Sequence, residues 1–304
     1  MIRLWLAALV SLAFLAAPAL ADVPNPAAWR PLDPENTLYI ETDAGRIIIE
    51  MYPEVAPRHV ERIRTLSEQG FYDGLRFHRV IDAFMAQGGD PLGTGEGASR
   101  LPDLQQEFLF RRGPDMPFVE AAVVRDRQGR VSQRMGFHKL LPIETQPDDV
   151  MTGTSDGRAT AWGLHCPGIV SMARFAELDS ANSQFFIMRA AWPALDKRYS
   201  IWGRVAWGQD IVDAFPVGEP PANPPIMRRV RVASSVPEAE RTAIFVLRTD
   251  SPEFRDVVAE TRRQVRRDRE RVFSLCDVQI PVLVPGVNDT ERNRPWWRNI
   301  PLIP

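Results

Sequence analysis

The sequence predicts a mostly β, barrel-like body, and three observations predict it. From Thr37 to Ser235 short apolar runs follow one another, each closed by Gly, Pro, Asn or Asp. Only two stretches in that region carry helical spacing, Pro57 to Gln69 and Gln209 to Phe215. The most concentrated stretch is Gly70 to Pro91, GFYDGLRFHRVIDAFMAQGGDP, where His78 and Arg79 sit as cationic residues inside an apolar run. Gly70, Gly74, Gly88 and Gly89 bracket it, at positions where tight turns cost little. This stretch fits a core strand whose polar face carries a His and an Arg. It equally fits a guanidinium held by a rigid sheet beside an apolar pocket.

Composition narrows the classes. The chain has 304 residues, a formal charge of -2, 44% hydrophobic residues and 25% charged residues, which suits one large domain with an appendage. That balance points away from nucleic acid and from disorder. His59, His78, His138 and His165 lie far apart, and no HExxH or CxxC spacing suggests a metal site. No cofactor is expected. Arg3, the apolar run Leu4 to Ala17, and Ala19-Leu20-Ala21 before Asp22 have the form of a secretory signal peptide over residues 1–21. Its apolar core is short for a membrane span. The mature chain is therefore expected in a periplasm, without stable membrane insertion. Such a compartment permits a disulfide between Cys166 and Cys276, the two cysteines of the chain, if the fold brings their Cα atoms within reach.

The elements follow in order. Residues 22–36 are proline-rich and read as an irregular lead-in with Trp29 as a docking residue. Leu38 to Glu41 and Arg46 to Met51 flank Asp43-Ala44-Gly45, a hairpin turn. Pro57 to Gln69 starts with a proline whose missing N–H would be unpaired there anyway, carries Val60, Ile63 and Leu66 on one stripe, and ends at Gly70. Leu75 to Ile81 reads as a strand, followed by the apolar burst Ala83 to Ala86. Gly93, Gly95 and Gly97 form a flexible loop with no P-loop lysine, and Glu107-Phe108 opens a short strand. Residues 111–167 read as an insertion with one small hairpin, Phe118 to Arg125 and Val131 to Phe137, followed by a polar loop. Gly168 to Ala173, Asn182 to Arg189, Ser200 to Ala206 and Ile226 to Ser234 are the remaining strands of a body at 37–235.

Residues 236–304 form a C-terminal α/β extension. Ala243 to Leu247 is strand-like, and Pro252 to Leu275 is one long helix with Phe254, Val257, Val258, Thr261, Val265, Val272 and Leu275 as its seam. The basic run RRQVRRDRERV is diluted by acids and reads as a solvated face rather than a nucleic-acid site. A tail with Trp296 and Trp297 is expected to pack back on the body. No long heptad run appears, so a monomer is expected.

The pieces FHRVI, FMAQGGD, GIVSMA and NSQFFI, then a Leu-Asp loop and WGRV, stand in the order of the cyclophilin-type peptidyl-prolyl isomerase family, which the chain resembles from Leu38 to Val232 apart from the insertion. The resemblance implies a closed eight-stranded barrel capped by two helices, with a groove on its outer surface. It places the family's arginine on Arg79, its groove glutamine on Gln87, and the proline pocket on Phe84, Met85, Phe186 and Leu195. Ala173, Arg174 and Gln184 would line the groove for residues before the proline. Three positions depart from the family pattern. Ala194 replaces a tryptophan, with Trp192 two residues away; Tyr199 replaces a histidine; and Arg174 replaces an asparagine, able to hinder a peptide or to favour an acidic one.

The reaction implied is rotation about an X–Pro bond, which faces a barrier of about 18–20 kcal/mol from amide resonance. No proton transfer or covalent intermediate is required. A guanidinium stays charged and offers directed donors, so Arg79 suits hydrogen bonding to the prolyl nitrogen as it pyramidalises. Proline-containing segments of client proteins are the expected partners. A proline-binding chaperone or scaffold with weak or no turnover is the alternative reading.

Overall fold

The computed structural model describes residues 25–268 and 271–285. The signal-peptide reading at 1–21 and the Trp296–Trp297 tail lie outside the described residues. In chain order the strands and helices begin with β1 (Trp29–Pro31), β2 (Thr37–Thr42), β3 (Gly45–Met51), α1 (Pro57–Glu68), β4 (Arg79–Ile81) and β5 (Met85–Gly88). The insertion carries β6 (Phe110–Arg112), β7 (Val119–Arg125), β8 (Val131–His138), β9 (Leu141–Thr145) and β10 (Ala159–Gly163). Then come β11 (Ile169–Met172), β12 (Phe185–Met188), β13 (Ile201–Trp207), α2 (Gln209–Asp213) and β14 (Arg229–Val232), and lastly β15 (Phe245–Leu247), α3 (Pro252–Arg267) and β16 (Val282–Leu283).

Eight strands form the main sheet, in the order β14-β2-β3-β13-β11-β12-β5-β4. The sheet is curled but open, which corrects the closed barrel that the family resemblance implied. Its end strands, β14 and β4, share no ladder. Isolated bridges, Arg76 with Ile226 and Val80 with Gly218, and scattered backbone hydrogen bonds such as Phe77 N to Pro225 O join the flanking segments instead. The reason is local: β4 is only three residues long, so Leu75 to His78 leaves the strand reading. Opposite it runs a segment with Pro220, Pro221, Pro224 and Pro225, which lack the N–H a ladder needs.

The sheet curls around an inner core in which Leu38, Ile40, Ile47, Ile49, Val80, Ala86, Phe185, Ile187, Val230 and Val232 meet one another. Helix α1 covers this core with Val60, Ile63 and Leu66, each buried. Burial of such a side chain contributes about 1.5–3 kcal/mol. Ala56 precedes α1 and has no side chain to cap it. The carboxylate of Glu107, distant in sequence, accepts from the Arg58 and His59 N–H groups instead, at 3.3 and 3.2 Å. Glu107 therefore belongs to a cap, not to the start of a strand.

The opposite face of the main sheet carries a second apolar cluster that joins it to everything added to the body. The insertion is more than a hairpin: it is a five-stranded antiparallel sheet in the order β6-β10-β9-β8-β7. Strand β9, LPIET, has no strand pattern of its own because Pro142 and Glu144 interrupt it, yet Leu141, Pro142 and Ile143 are all buried. The lead-in is also not irregular. Strand β1 pairs with β15, and β15 with β16, in a three-stranded sheet made from both ends of the chain. Arg30 of β1 grips Glu50 of β3 bidentately at 2.7 and 2.9 Å. Helix α3 stops at Arg267, short of the reading to Leu275, and Val272 is 89% exposed rather than part of its seam. Phe254 of α3 meets Phe137 of β8 edge-on at 5.3 Å. Cys166 and Cys276 are joined by a disulfide with their Cα atoms 4.9 Å apart, stapling the extension to the segment before β11.

Glu54 joins the main sheet to the insertion. Its Oε1 accepts from His138 Nε2 and Lys139 Nζ, each at 2.6 Å. Burial pushes this carboxyl up, but His138 and Lys139 outweigh burial and hold it at about 2. A depressed carboxylate pKa adds stability above the unfolded value of about 4.3 and loses it as pH falls toward the folded value. Glu54→Gln should therefore lower the unfolding midpoint at pH 7. The gap from wild type should close between about pH 4.5 and 2, as read by thermal unfolding across that range. Cys276→Ser removes a cross-link spanning 110 residues and should cost about 2–4 kcal/mol in denaturant unfolding, with reductant destabilising wild type but not the variant.

Candidate active site

Strand pairing sets one row of side chains across the outer face of the main sheet. Arg79 of β4 lies opposite Gln87 of β5, Gln87 opposite Phe186 of β12, and Phe186 opposite Ser171 of β11. Neighbouring strands are about 4.8 Å apart, so these residues are lateral neighbours whatever their separation in sequence. Alternation then sorts the paired phenylalanines: Phe185 enters the inner core and Phe186 the outer cluster. Met85, two residues before Gln87, shares the outer face.

A relay of hydrogen bonds holds the row. Arg79 Nη1 donates to Gln87 Oε1 at 3.3 Å, and Gln87 Nε2 donates to Gln184 Oε1 at 2.9 Å. Gln184 Nε2 donates in turn to the Gly95 and Gly97 carbonyls, both at 2.8 Å. Those carbonyls are not on a flexible loop. The loop winds round the buried Asp90 carboxylate, which accepts from the Leu92, Thr94 and Gly95 N–H groups at 2.7, 2.8 and 2.5 Å. Burial raises the Asp90 carboxyl, yet these backbone donors bring it below its ordinary value. Gly97 is required here, since a Cβ would fall 1.8 Å from Asp90 Oδ1. The other side of the guanidinium is held as well: Arg79 Nε donates to Glu219 Oε2 at 2.5 Å. Nothing in the sequence links these two residues, 140 positions apart. His78 is buried, and burial pushes its pKa down.

Beside the row lies an apolar cluster. Phe186 is 5% exposed, and Tyr199 meets it edge-on at 5.5 Å. Met85 is buried, and Phe84 and Leu195 are half-buried against the outer cluster. Trp192 is 44% exposed and its ring lies 4.8 Å from Phe84, while Ala194 is exposed. Ala173 N donates to Gln184 O at 2.9 Å, which places the Ala173–Arg174 backbone beside the relay. Arg174 lies over the Tyr199 ring at 4.6 Å. His165, which the sequence reading did not single out, anchors the loop carrying Trp192, Leu195 and Tyr199. Its N–H and Nδ1 lie 2.8 and 2.9 Å from Asp196 Oδ1, its carbonyl accepts from Trp192 N at 2.9 Å, and Ser171 Oγ lies 3.0 Å from its Nε2.

Comparison with known proteins identifies the family. Residues 37–236 match the family described as cyclophilin type peptidyl-prolyl cis-trans isomerase/CLD. The chain belongs to the cyclophilin-type isomerases. A probable peptidyl-prolyl cis-trans isomerase of Brucella suis is 30% identical over 219 residues, covering 68% of this chain and 85% of that one. The human peptidyl-prolyl cis-trans isomerase-like 1 is 30% identical over 194 residues, covering 64% and 84%. The crystal structure of cyclophilin AquaCyp293 from Hirschia baltica superposes with a TM-score of 0.76 at 36% identity, over 85% of this chain and 94% of that one. That coverage exceeds the span of the family match, so the likeness extends beyond residues 37–236. With the family comes its activity: this cyclophilin is an enzyme that isomerises X–Pro bonds and binds proline-containing peptide segments.

Glu219 and Gln87 together fix the Arg79 fork. Glu219→Ala should free the guanidinium and lower kcat for a proline peptide by about tenfold with little change in KM, since orientation matters most in the twisted state. Steady-state isomerisation kinetics check this, and Glu219→Gln should recover part of the loss.

Proposed function

We propose that catalysis rests on Arg79 donating a hydrogen bond to the prolyl nitrogen as the X–Pro bond twists, in client proteins of a periplasm. The observation that carries this reading is the guanidinium itself, tied on one side to Gln87 and on the other to Glu219, at the head of a row that includes Phe186. A fork already oriented spends little free energy on ordering when the substrate reaches the twisted state.

In the planar ground state the nitrogen lone pair is delocalised and is a poor acceptor. Twisting localises it, and only then can the guanidinium bond to it. The interaction therefore lowers the barrier without deepening the ground state, and each ~1.4 kcal/mol gained this way is worth about tenfold in rate. Phe186, Met85, Phe84 and Leu195 grip the ring of the proline, Tyr199 closes the slot in place of the family's histidine, and Trp192 extends its rim against Phe84. Gln87 orients Arg79. Gln184, Ala173 and Arg174 line the course of residues before the proline.

The signal-like residues 1–21 support the periplasmic reading, and the Cys166–Cys276 bond suits an oxidising compartment. Cell fractionation is the direct test of location.

Arg79→Ala should lower kcat/KM for a proline peptide by roughly 10²–10³, the usual loss on removing one preorganised donor. Arg79→Lys, which keeps the charge without the fork, should recover little of it. A protease-coupled or NMR exchange measurement reads both. Activity undiminished in Arg79→Ala would overturn the assignment of Arg79.

A further inference from the structure

Arg174 differs from the other arginines near the groove. Arg79 and Arg189 each have a carboxylate within ion-pair distance. Arg174 has none among the described residues. Its guanidinium is nevertheless fixed in place. It lies 4.6 Å from the Tyr199 ring centroid and 5.7 Å from that of Phe108. Nε donates to the Arg198 carbonyl at 3.1 Å, and Nη1 donates to the Phe175 and Ala176 carbonyls at 2.8 and 3.3 Å. Nη2 has no protein acceptor among the described residues, and the side chain is half-buried.

The position of this cation relative to the slot is defined by contacts. Tyr199 bridges the two, with Arg174 on its face and Phe186 at 5.5 Å. The backbone just before Arg174 is bonded to Gln184 through Ala173 N. Lys197 and Arg198, on the same loop as Tyr199, add positive charge nearby, and Asp196, the carboxylate of that loop, is taken by His165. Glu177, close in sequence, is not within ion-pair distance of Arg174.

We propose that Arg174 makes this isomerase selective for proline segments that carry an aspartate or glutamate upstream of the proline, with Nη2 as the donor to that carboxylate. This rests on the reading of the groove given under Proposed function. The stacking and the three carbonyl acceptors already hold the side chain in one arrangement. A substrate carboxylate then need not order it, which is the main cost of a flexible surface arginine. One charge-assisted hydrogen bond at a half-buried site corresponds to about a fivefold gain in kcat/KM. Screening should reduce that gain toward unity at 1 M salt, where the Debye length is about 3 Å. The same loop also exposes Phe175 and Leu178, by 47% and 49%, so an apolar preference is the rival outcome.

The experiment compares peptides that differ at one upstream position, carrying Glu, Gln, Phe or Lys in turn at each site before the proline, with the mature chain as enzyme. The proposal expects Glu to exceed Gln by about fivefold at one position, Lys to fall below Gln, and both differences to fade in 1 M salt. In Arg174→Gln the Glu/Gln ratio should collapse to about one, and in Arg174→Glu it should invert in favour of Lys. Equal rates for Glu and Gln, or a preference for Phe over Glu, would overturn this proposal and leave the isomerase reading standing. Absence of turnover with every peptide would overturn the groove reading and this proposal with it. If either variant fails to fold, the wild-type peptide series and its salt dependence still decide.

Discussion

The site depends on one amide. Gln87 accepts from Arg79 and donates to Gln184, and it sits on the middle strand of three whose register sets who meets whom. A side-chain amide can do both at once because it carries an acceptor and a donor group. Without it the guanidinium would keep its charge and be held by Glu219 alone. Followed outward, the same chain of bonds reaches the Gly95 and Gly97 carbonyls and ends on Asp90, whose buried carboxylate organises a glycine loop. Arg79 is thus steadied through a loop more than ten residues away in sequence.

The two faces of the main sheet divide the labour. The inner face builds the core under α1 and supplies stability. The outer face is apolar enough to gather a cluster around Phe186 and, further along, to seat the insertion, the N-terminal strand and the C-terminal helix. The added sheets are therefore continuous with the surface that holds the site. His165 and Cys166 are adjacent residues: one anchors the loop bearing Leu195 and Tyr199, and the other ties the segment to the C-terminal extension. An open sheet edge near Arg79 is filled by the proline-rich segment that contributes Glu219, so the same prolines that prevent closure place a carboxylate on the guanidinium.

Much was legible in the chain itself. The stripe of Val60, Ile63 and Leu66 is a helix face, and the alternation through Ser183 to Met188 does send Phe185 and Phe186 to opposite sides, because a strand's period is a local property. The motifs around Arg79, Gln87 and Phe186 carried the family and its reaction. Local reading failed where a strand lacks its own pattern: β1 and β9 exist because a partner strand supplies their hydrogen bonds.

What the sequence determined by itself, then, were features fixed by near neighbours: periodicity, turns, and the motifs that mark the family. The tertiary structure alone decided that the sheet stays open, that Glu107 caps α1, that Glu219 holds Arg79, and that Arg174 rests on Tyr199 with no counter-ion among the described residues. Each of these joins groups far apart in sequence. Such contacts are set by how strands register and loops fold back, and a linear pattern carries no record of that distance.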